Sequence, residues 1–300
     1  WRARMDTPDN TVLVAGSASQ MLAVRIARVL GVNIVPVSSK LFPDGELYIR
    51  LLSSLNGRKV IIVQSTPPPQ NSNLLELFFL INTAVEQGAE KVVAVVPYFA
   101  YARQDKEFLP GEAVSGRYVC RMLRHCGADM VVTVNIHNRR IFDGTGMPFI
   151  DLNAVPLIAE HFKNFSLKNP MVLAPDEGAI EEGKLVSEML GCSFAFLKKE
   201  RDKHTGEIVT EEKQMELKGR DVLVIDDIIS TGGTMVNAVS IAARQGARNI
   251  YVACVHPLLV GEARLRILSA GAKEIVGTDS VPSDVSLISL ASLIAGALKN

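Results

Sequence analysis

Residues 222–234 read VLVIDDIISTGGT. The four apolar residues at the start are typical of a strand that is buried on both faces of a parallel sheet. Two adjacent carboxylates, Asp226 and Asp227, follow this run, and open α/β sheets bind their ligands at the carboxyl ends of strands. Small residues and two glycines then lead into a predicted helix over 235–243. The stretch therefore predicts a strand–loop–helix unit of an α/β fold.

The same alternation of strand and helix extends along the rest of the chain. The apolar runs and the helical patterns between them lie, in chain order, at 11–16, 22–30, 60–63, 74–85, 92–97, 114–123 and 130–135. Nearly continuous apolar strands that alternate with helices predict a mainly parallel sheet covered on both faces. A length of 300 residues, at roughly 150 per domain, indicates about two such domains.

The second half of the chain repeats the order of the first. Three glycines that precede or follow apolar or helical stretches recur at a nearly constant offset of about 160 residues. The first set is Gly31, Gly57 and Gly88, and the second is Gly191, Gly219 and Gly246. We therefore predict two tandem, similarly folded domains over 1–152 and 153–283. An amphipathic helix is expected over 284–300, where it could pack on the first domain.

The charge balance argues against polyanionic partners. The chain has 32 Lys+Arg and 32 Asp+Glu residues, so its formal net charge is zero. It lacks the excess positive charge that holds nucleic acid or an anionic membrane surface. Its 48% hydrophobic content indicates a sizeable core, and no apolar run approaches the roughly 18 residues of a membrane span. We predict no nucleic-acid and no membrane partner.

The cysteines are typical of a protein from a reducing compartment. The four residues show neither CxxC pairs nor zinc-finger spacing, so neither a disulfide framework nor a zinc site is expected. They are Cys120, Cys126, Cys192 and Cys254. Residues 1–5 contain two arginines, but no apolar segment follows them, so no signal peptide is expected. A cytoplasmic enzyme fits these observations.

The loop over 230–234 has the composition of a phosphate cradle. Backbone amides at the N-terminus of a helix can surround a phosphate, and the helix dipole favours its charge. Neighbouring carboxylates can accept hydrogen bonds from vicinal hydroxyls or approach a metal, so the combination suits a sugar phosphate. Neither a GxxxxGK[ST] nor a GxGxxG motif follows a strand, which disfavours P-loop and dinucleotide-binding folds. The structural alternative, a glycine-rich turn with an aspartate cap, leaves the second acid unexplained.

Residues 226–234 resemble the phosphoribosyl-diphosphate loop of type I phosphoribosyltransferases. Nearly the whole chain resembles one group with that fold, the ribose-phosphate diphosphokinases, also called phosphoribosyl-pyrophosphate synthetases. The other motifs that carry this resemblance are FPDGE at 42–46, NLLEL at 73–77, YARQDK at 101–106, IH at 136–137, PDEG at 175–178 and KER at 199–201. The resemblance implies two phosphoribosyltransferase-like domains in each subunit and at least a homodimer.

The two halves differ at the phosphate loop. The first-half counterpart of the loop, at 64–70, reads QSTPPPQ. It lacks both acids and both glycines, and its prolines have no N–H to offer a phosphate. The resemblance therefore implies that the second domain binds ribose 5-phosphate, whereas the first serves ATP binding and oligomer contacts.

The resemblance also implies a role for each candidate site residue. The ribose 5-phosphate ligands would be Asp226, Asp227, Ser230, Thr231, Gly232, Gly233 and Thr234. The ATP ligands would be Phe42, Asp44, Glu46, Arg103 and Gln104. The ligands of a magnesium ion on ATP would be His137 and Asp176, and the catalytic cations of a mobile loop would be Lys199 and Arg201.

Without the resemblance, several of these motifs have a simpler structural interpretation. Residues 42–46 form a Pro-Asp-Gly turn pattern, and His137 sits at a strand end, where a histidine is usually structural. The charged stretches at 103–106 and 198–207 are typical of solvated loops. Only the resemblance favours a functional role for them.

The implied reaction is attack of the anomeric hydroxyl of ribose 5-phosphate on the β-phosphorus of ATP, which gives 5-phosphoribosyl 1-diphosphate and AMP. Two alternatives remain open. A nucleobase phosphoribosyltransferase would use the same loop, but it would leave the duplicated half and residues 42–46 without a purpose. A non-catalytic regulatory homologue would be expected to have lost parts of the site, yet Asp176, Lys199 and Asp226 are all present.

Overall fold

The computed structural model describes residues 10–201, 208–211 and 215–299, with side chains described outside 199–214. The chain divides into two compact units by its internal contacts. Unit 1 comprises the residues up to Asn153, together with Ser280–Pro282 and the segment from Ser289 onward. Unit 2 comprises Ala154–Asp279 and Ser283–Ile288.

Unit 1 is built on one parallel sheet. Its strands are β1 (Thr11–Ala15), β2 (Asn33–Val35), β3 (Val37–Leu41), β4 (Leu47–Leu51), β5 (Lys59–Val63), β6 (Lys91–Val96), β7 (Met130–Val134) and β8 (Phe149–Leu152). The helices within this stretch are α1 (Gln20–Leu30), α2 (Gln70–Glu86) and α3 (Ser115–His125). Six strands form the sheet in the order β2-β1-β5-β6-β7-β8, and β3 and β4 form a separate antiparallel hairpin.

The remaining elements begin with α4 (Val155–Lys163) and end with α8 (Ala291–Lys299). The strands between them are β9 (Met171–Ala174), β10 (Ser193–Phe196), β11 (Lys198–Arg201), β12 (Ile208–Glu211), β13 (Asp221–Ile229), β14 (Asn249–Pro257), β15 (Glu274–Thr278) and β16 (Ser286–Ile288). The helices are α5 (Ile180–Leu190), α6 (Gly233–Arg244) and α7 (Ala263–Ser269).

The second sheet repeats the first strand for strand. Its order is β10-β9-β13-β14-β15-β16, and β11 and β12 form a hairpin that corresponds to β3 and β4. The equivalent helices α1 and α5 both end in a left-handed glycine, Gly31 at φ +72° and Gly191 at φ +63°. The prediction of two similarly folded parallel-sheet domains is confirmed.

Apolar side chains hold each sheet between its helices. In β5, Val60, Ile61, Ile62 and Val63 are all buried, as expected for β-branched residues in a central strand with both faces covered. Val222, Val224 and Ile225 play the same part in β13. No helix among the described residues is both long enough and apolar enough to span a membrane.

The closing segment differs from its prediction. Residues 286–288 are strand β16, which pairs with β15, and the helix begins only at Ala291. Leu287 is therefore an edge-strand residue with 53% of its surface exposed. An apolar run this short does not distinguish strand from helix by periodicity. Within unit 1, α8 packs on α1, and within unit 2, α4 packs on α5.

A buried carboxylate lies at the amino end of β13. The Asp221 side chain is 1% exposed and forms an ion pair with Arg248 at 2.7 Å. It also accepts hydrogen bonds from the Lys168 N–H at 2.6 Å and from Asn249 Nδ2 at 2.8 Å. These donors, led by Arg248, lower the pKa of Asp221 to about 2. The cluster ties the start of β13 to β14 and to the segment before β9.

Candidate active site

The two adjacent acids lie within an extended strand. The predicted strand ended at Ile225, whereas β13 continues to Ile229 and stays paired with β14, with Asp226 opposite Cys254. The other neighbour, β9, ends earlier, and its pairing with β13 reaches only Val224. The last part of β13 therefore extends past the end of β9.

The loop after β13 contains a glycine, Gly232, that packs closely against helix α7. Gly232 has φ +77°, and a Cβ atom there would lie 3.1 Å from Ile267 Cδ1 and 3.2 Å from Ala263 Cβ. Helix α6 begins at the next residue. The loop is also tied to the neighbouring chain, since the Val260 N–H donates to the Ser230 carbonyl at 3.0 Å. Thr231 and Gly233 are exposed, so the N-terminus of α6 is open to a ligand.

Three carboxylates influence one another at this edge of the second sheet. Burial, together with the charges of Asp227 and Asp176, raises the pKa of Asp226 to about 8, and burial is the largest of these causes. Asp227 donates its backbone N–H to Asp226 Oδ1 at 2.9 Å. Asp176 follows β9 and accepts the Gly178 N–H at 3.0 Å. The structure thus brings together the predicted acids of 226–227 and 176.

The carboxylates at this edge of the second sheet suit magnesium as ligands. Among residues 10–198 and 215–299, whose side chains are described, no group of three or more His, Cys, Asp or Glu residues has the geometry to hold a metal ion. Mg²⁺ commonly binds through one or two carboxylates plus substrate phosphates, with water completing its shell. A cation would also offset the burial and the neighbouring negative charges that raise the pKa of Asp226. Asp176 and its neighbours therefore fit a substrate-borne Mg²⁺.

Three other candidates gather at the carboxyl edge of the first sheet. Arg103 and Gln104 are exposed in the loop after β6, and His137 is exposed after the adjacent strand β7. The two loops are joined because Asn138 Nδ2 donates to an Asp105 carboxylate oxygen. The arrangement leaves one guanidinium, one amide and one imidazole open to solvent.

The backbone around His137 is held by a carboxylate that the sequence did not single out. Asp151 Oδ1 accepts the Ile136 N–H at 3.0 Å, and Asp151 Oδ2 pairs with Arg139 Nε at 2.8 Å. Asp151 lies in β8, beside β7. The residues on either side of His137 are thus fixed to the neighbouring strand.

Residues 42–46 form the predicted turn, between β3 and β4. The Phe42 N–H donates to the Glu46 carbonyl at 2.8 Å, and Gly45 takes the left-handed φ of +93°. The Phe42 ring is 40% exposed and meets the Tyr48 ring edge-on at 5.8 Å between centroids. Lys40 Nζ lies 5.1 Å from the Phe42 centroid. Phe42 therefore offers an aromatic surface on a hairpin that belongs to neither six-stranded sheet.

The two predicted catalytic cations lie on the equivalent hairpin of unit 2. In β11, Lys199 is opposite Thr210 and Arg201 is opposite Ile208. The side chains of Lys199 and Arg201, together with residues 202–207 of the predicted mobile loop, lie outside the part of the chain that the structure describes.

The first-half counterpart of the phosphate loop is closed by the protein's own groups. The buried Gln64 side chain accepts the Ala18 N–H at 3.0 Å and donates to the Glu76 carboxylate at 2.7 Å. Glu76 also accepts both the hydroxyl and the N–H of Ser17, the latter at 3.0 Å. A Cβ at Gly16 would lie 2.3 Å from Gln64 Oε1. Amide and carboxylate thus occupy the edge beside β1 and β5.

The sequence analysis did not predict this hydrogen-bond network of Gln64, Glu76 and Ser17. The available signal was Glu76, an acid within the apolar face of α2, where it is buried like Leu77 and Leu80. A buried carboxylate needs donors. Its partners lie 12 and 59 residues away, so periodicity did not identify them.

Comparison with known proteins gives consistent matches for both units. Residues 11–127 match the N-terminal domain of ribose phosphate pyrophosphokinase, and residues 152–286 match the phosphoribosyl transferase domain. The ribose-phosphate pyrophosphokinase of Methanothermobacter thermautotrophicus is 44% identical over 96% of this chain and 100% of its own length. That of Saccharolobus solfataricus is 36% identical over 96% of this chain and 100% of its own. The crystal structure of phosphoribosylpyrophosphate synthetase from Mycobacterium smegmatis superposes with a TM-score of 0.85, at 29% identity, over 97% of this chain and 98% of that one.

Proposed function

Because the chain belongs to the ribose-phosphate pyrophosphokinase family, we propose that it transfers the diphosphoryl group of ATP to the anomeric hydroxyl of ribose 5-phosphate. The products are 5-phosphoribosyl 1-diphosphate and AMP. The observation that carries the proposal is the asymmetry between two units of equal topology. One keeps an open acid-and-glycine loop over 226–234, and the other closes the same position with Gln64 and Glu76.

The open loop suits the sugar phosphate. The exposed N-terminus of α6, at Thr231 and Gly233, offers backbone N–H groups and the positive end of a helix dipole to the 5-phosphate. Asp226 and Asp227 lie at the adjoining end of β13, within reach of a ribose that is anchored by its phosphate. Their carboxylates would accept hydrogen bonds from its hydroxyls and so orient the anomeric hydroxyl.

The ATP side draws on unit 1. Phe42 would stack on adenine, with Asp44 and Glu46 accepting hydrogen bonds from its amino group or from a ribose hydroxyl. Arg103 could pair with phosphate oxygens through its planar guanidinium, and Gln104 would contribute an amide. The resemblance implies that residues 42–46 contact adenine bound to a neighbouring subunit, so the working form would be at least a homodimer. All four cysteines are free, which agrees with a cytoplasmic location.

The chemistry consists mainly of in-line positioning and charge neutralisation. Magnesium, when bound to ATP, would neutralise phosphate charge and polarise the β-phosphorus. His137 and Asp176 are the residues that would hold it. Lys199 and Arg201 would stabilise the charge that develops on the transferring group. The net charge of zero requires these positive groups to act locally.

The direct test is to incubate the purified protein with ATP, ribose 5-phosphate and Mg²⁺ in the absence of any nucleobase. We expect AMP and 5-phosphoribosyl 1-diphosphate in equal amounts, measured by chromatography. If no AMP forms here, but 5-phosphoribosyl 1-diphosphate and a nucleobase supplied together give a nucleotide and pyrophosphate, the protein is instead a phosphoribosyltransferase. No Mg²⁺-dependent activity in either assay would favour a non-catalytic homologue.

Gly232→Ala is expected to raise the KM for ribose 5-phosphate by roughly tenfold or more, at a stability cost of about 1–2 kcal/mol. The reason is that Gly232 has a left-handed φ and its missing Cβ faces Ile267 and Ala263 at close range. An added methyl group must move the loop that precedes α6. Steady-state kinetics with ribose 5-phosphate varied at saturating ATP measure the effect.

A matched control is Gly246→Ala. Gly246 also has a left-handed φ, +82°, but a Cβ there would meet Lys218 at an ordinary 3.5 Å. It lies just before β14, at the other end of the sheet. This variant should lose stability without a change in the KM for ribose 5-phosphate. An equal KM increase in both variants would contradict the placement of the sugar phosphate at Gly232.

A further inference from the structure

In unit 1, residues 64–70 occupy the position that the phosphate loop has in unit 2. They are hydrogen-bonded to the loop that follows strand β6. Thr66 is fully buried. Its hydroxyl donates to the Tyr98 carbonyl at 2.9 Å and accepts the Ala100 N–H at 2.8 Å. The Thr66 N–H donates to the same Tyr98 carbonyl at 2.9 Å. One threonine thus binds two backbone groups of the 98–100 segment, the Tyr98 carbonyl and the Ala100 N–H.

Two more side chains extend this attachment. The Ser65 hydroxyl accepts the Tyr98 N–H at 3.1 Å and donates to the Ser280 carbonyl at 2.6 Å. In the first turn of α2, the Asn71 side chain accepts the Tyr101 hydroxyl. Residues 65–71 therefore bind both ends of the 98–101 segment.

The attachment continues without a break to the proposed ATP ligands. Tyr101 has an unusual left-handed φ of +65°, and its carbonyl accepts the Gln104 N–H at 2.9 Å. The Gln104 carbonyl in turn accepts the Gly116 N–H at 3.1 Å, at the start of α3. A Cβ at Gly116 would lie 2.9 Å from the Tyr101 carbonyl oxygen, so the loop and α3 approach as closely as a glycine allows. Arg103 lies between the two fixed carbonyl groups.

We propose that the former phosphate loop of unit 1 now anchors the loop that binds ATP, with Thr66 as a positioning residue for Arg103 and Gln104. The inference rests on the proposed function, in which these two side chains contact ATP. The physical basis is that Thr66 satisfies buried backbone groups that water does not reach, so its loss must either leave them unpaired or shift the loop. In this proposal, residues 64–70 do not bind a phosphate as their counterpart in unit 2 does. They support the loop after β6 instead.

The test is Thr66→Val, which keeps the side-chain size and removes the hydroxyl. We expect the KM for ATP to rise roughly tenfold, with the KM for ribose 5-phosphate near the wild-type value. Thr66→Ser, which retains a hydroxyl, should restore most of the ATP affinity. Initial rates of AMP formation, with each substrate varied in turn, give both constants.

A control is available in the same unit, because Thr145 has the same pair of contacts. Its buried hydroxyl donates to the Phe142 carbonyl at 2.7 Å and accepts the Met147 N–H at 3.2 Å, beside Arg124 near the end of α3. Thr145→Val should destabilise the unit without a selective effect on ATP. An unchanged ATP KM in Thr66→Val, or an equal increase in Thr145→Val, would overturn the anchor.

A third variant, Arg103→Ala, shows whether a negative result concerns only the anchoring role of Thr66 or the proposed function as well. If Arg103→Ala raises the KM for ATP while Thr66→Val does not, the ATP loop stands and only the anchor is wrong. If neither variant affects ATP, the assignment of the ATP loop is wrong as well. Should Thr66→Val not fold, Tyr101→Phe removes only the surface contact with Asn71, and it should give a smaller increase in the ATP KM. An unchanged ATP KM in that variant would likewise overturn the anchor.

Discussion

Lys199→Ala is expected to lower turnover by about 10²–10³-fold while ribose 5-phosphate still binds. The proposed role of Lys199 is to stabilise charge that develops as the diphosphoryl group transfers, so the loss falls on the transition state more than on the bound substrates. The fall should therefore appear in kcat. Steady-state AMP formation measures turnover, and isothermal titration calorimetry measures binding of ribose 5-phosphate.

The neighbouring lysine is a matched control. Lys198 lies in the same strand, β11, and carries the same charge, but the resemblance implies no catalytic role for it. Lys198→Ala should therefore retain most of the activity. Turnover near wild type in Lys199→Ala would show that this lysine is not catalytic. Comparable losses in both variants would indicate that the hairpin, rather than one cation, is needed.

Asp221→Asn is expected to lower the free energy of unfolding by roughly 3 kcal/mol, because a neutral amide replaces the buried anion that accepts hydrogen bonds from Arg248, Asn249 and the Lys168 N–H. The carboxylate accepts two hydrogen bonds from Arg248, at 2.8 and 2.7 Å, as well as one from Asn249 and one from the Lys168 N–H. An amide can accept only part of this set and places an N–H against the guanidinium. Urea denaturation at pH 7, followed by circular dichroism, measures the loss.

The same residue makes stability depend on pH. Because the folded pKa of Asp221 is lowered to about 2, the unfolded chain takes up its proton first as the solution is acidified. The stabilisation by Asp221 is therefore complete above the ordinary pKa of an aspartate and is lost as the pH falls towards 2. Asp221→Asn should lack this component. The difference in stability between wild type and variant should thus shrink between pH 5 and pH 2.

An exposed Asp–Arg pair in the same unit supplies the control. Asp284 accepts a hydrogen bond from Arg264, and both side chains are about half exposed. Such surface pairs contribute about 0–1 kcal/mol. Asp284→Asn should therefore have little effect. A loss in Asp221→Asn no larger than in Asp284→Asn would show that burial does not strengthen the Asp221 cluster.

Elements with a strong local pattern were predictable. The apolar run at 60–63 became β5, and the helical pattern at 22–30 became the main part of α1, because each pattern is a property of consecutive residues. The glycines at 31 and 191 marked equivalent helix ends for the same reason. The repeat of these glycines and of the strand and helix patterns was enough to predict a second domain of the same fold.

Elements whose state depends on a distant partner were not predictable. Strand β16 has three residues, and it is a strand because β15 offers a free edge. The extension of β13 through Ile229 likewise depends on pairing with β14, not on the composition of its polar and apolar residues. Propensity within either segment leaves its conformation undecided.

The candidate site shows the same division. Asp226 to Thr234 are contiguous, so a strand, two acids and a helix N-terminus could be identified as one unit from their order alone. By contrast, Asp151 supports the segment around His137 from 15 residues away, and Thr66 supports Ala100 from 34. These contacts arise because parallel strands become neighbours through long crossover connections.

The order of residues was thus sufficient for the fold class, the duplication and the chemistry of the phosphate loop, since each depends on local pattern or on motif order. The sequence also showed that the first loop lacks the acids and glycines of the second, but only packing determined what surrounds each loop. In unit 2 it holds the half-buried Asp226 near two other acids and raises its pKa to about 8. In unit 1 it supplies Gln64 and Glu76 with partners at both short and long range along the chain. Burial and desolvation are properties of the assembled sheet, and no single segment of the chain contains them.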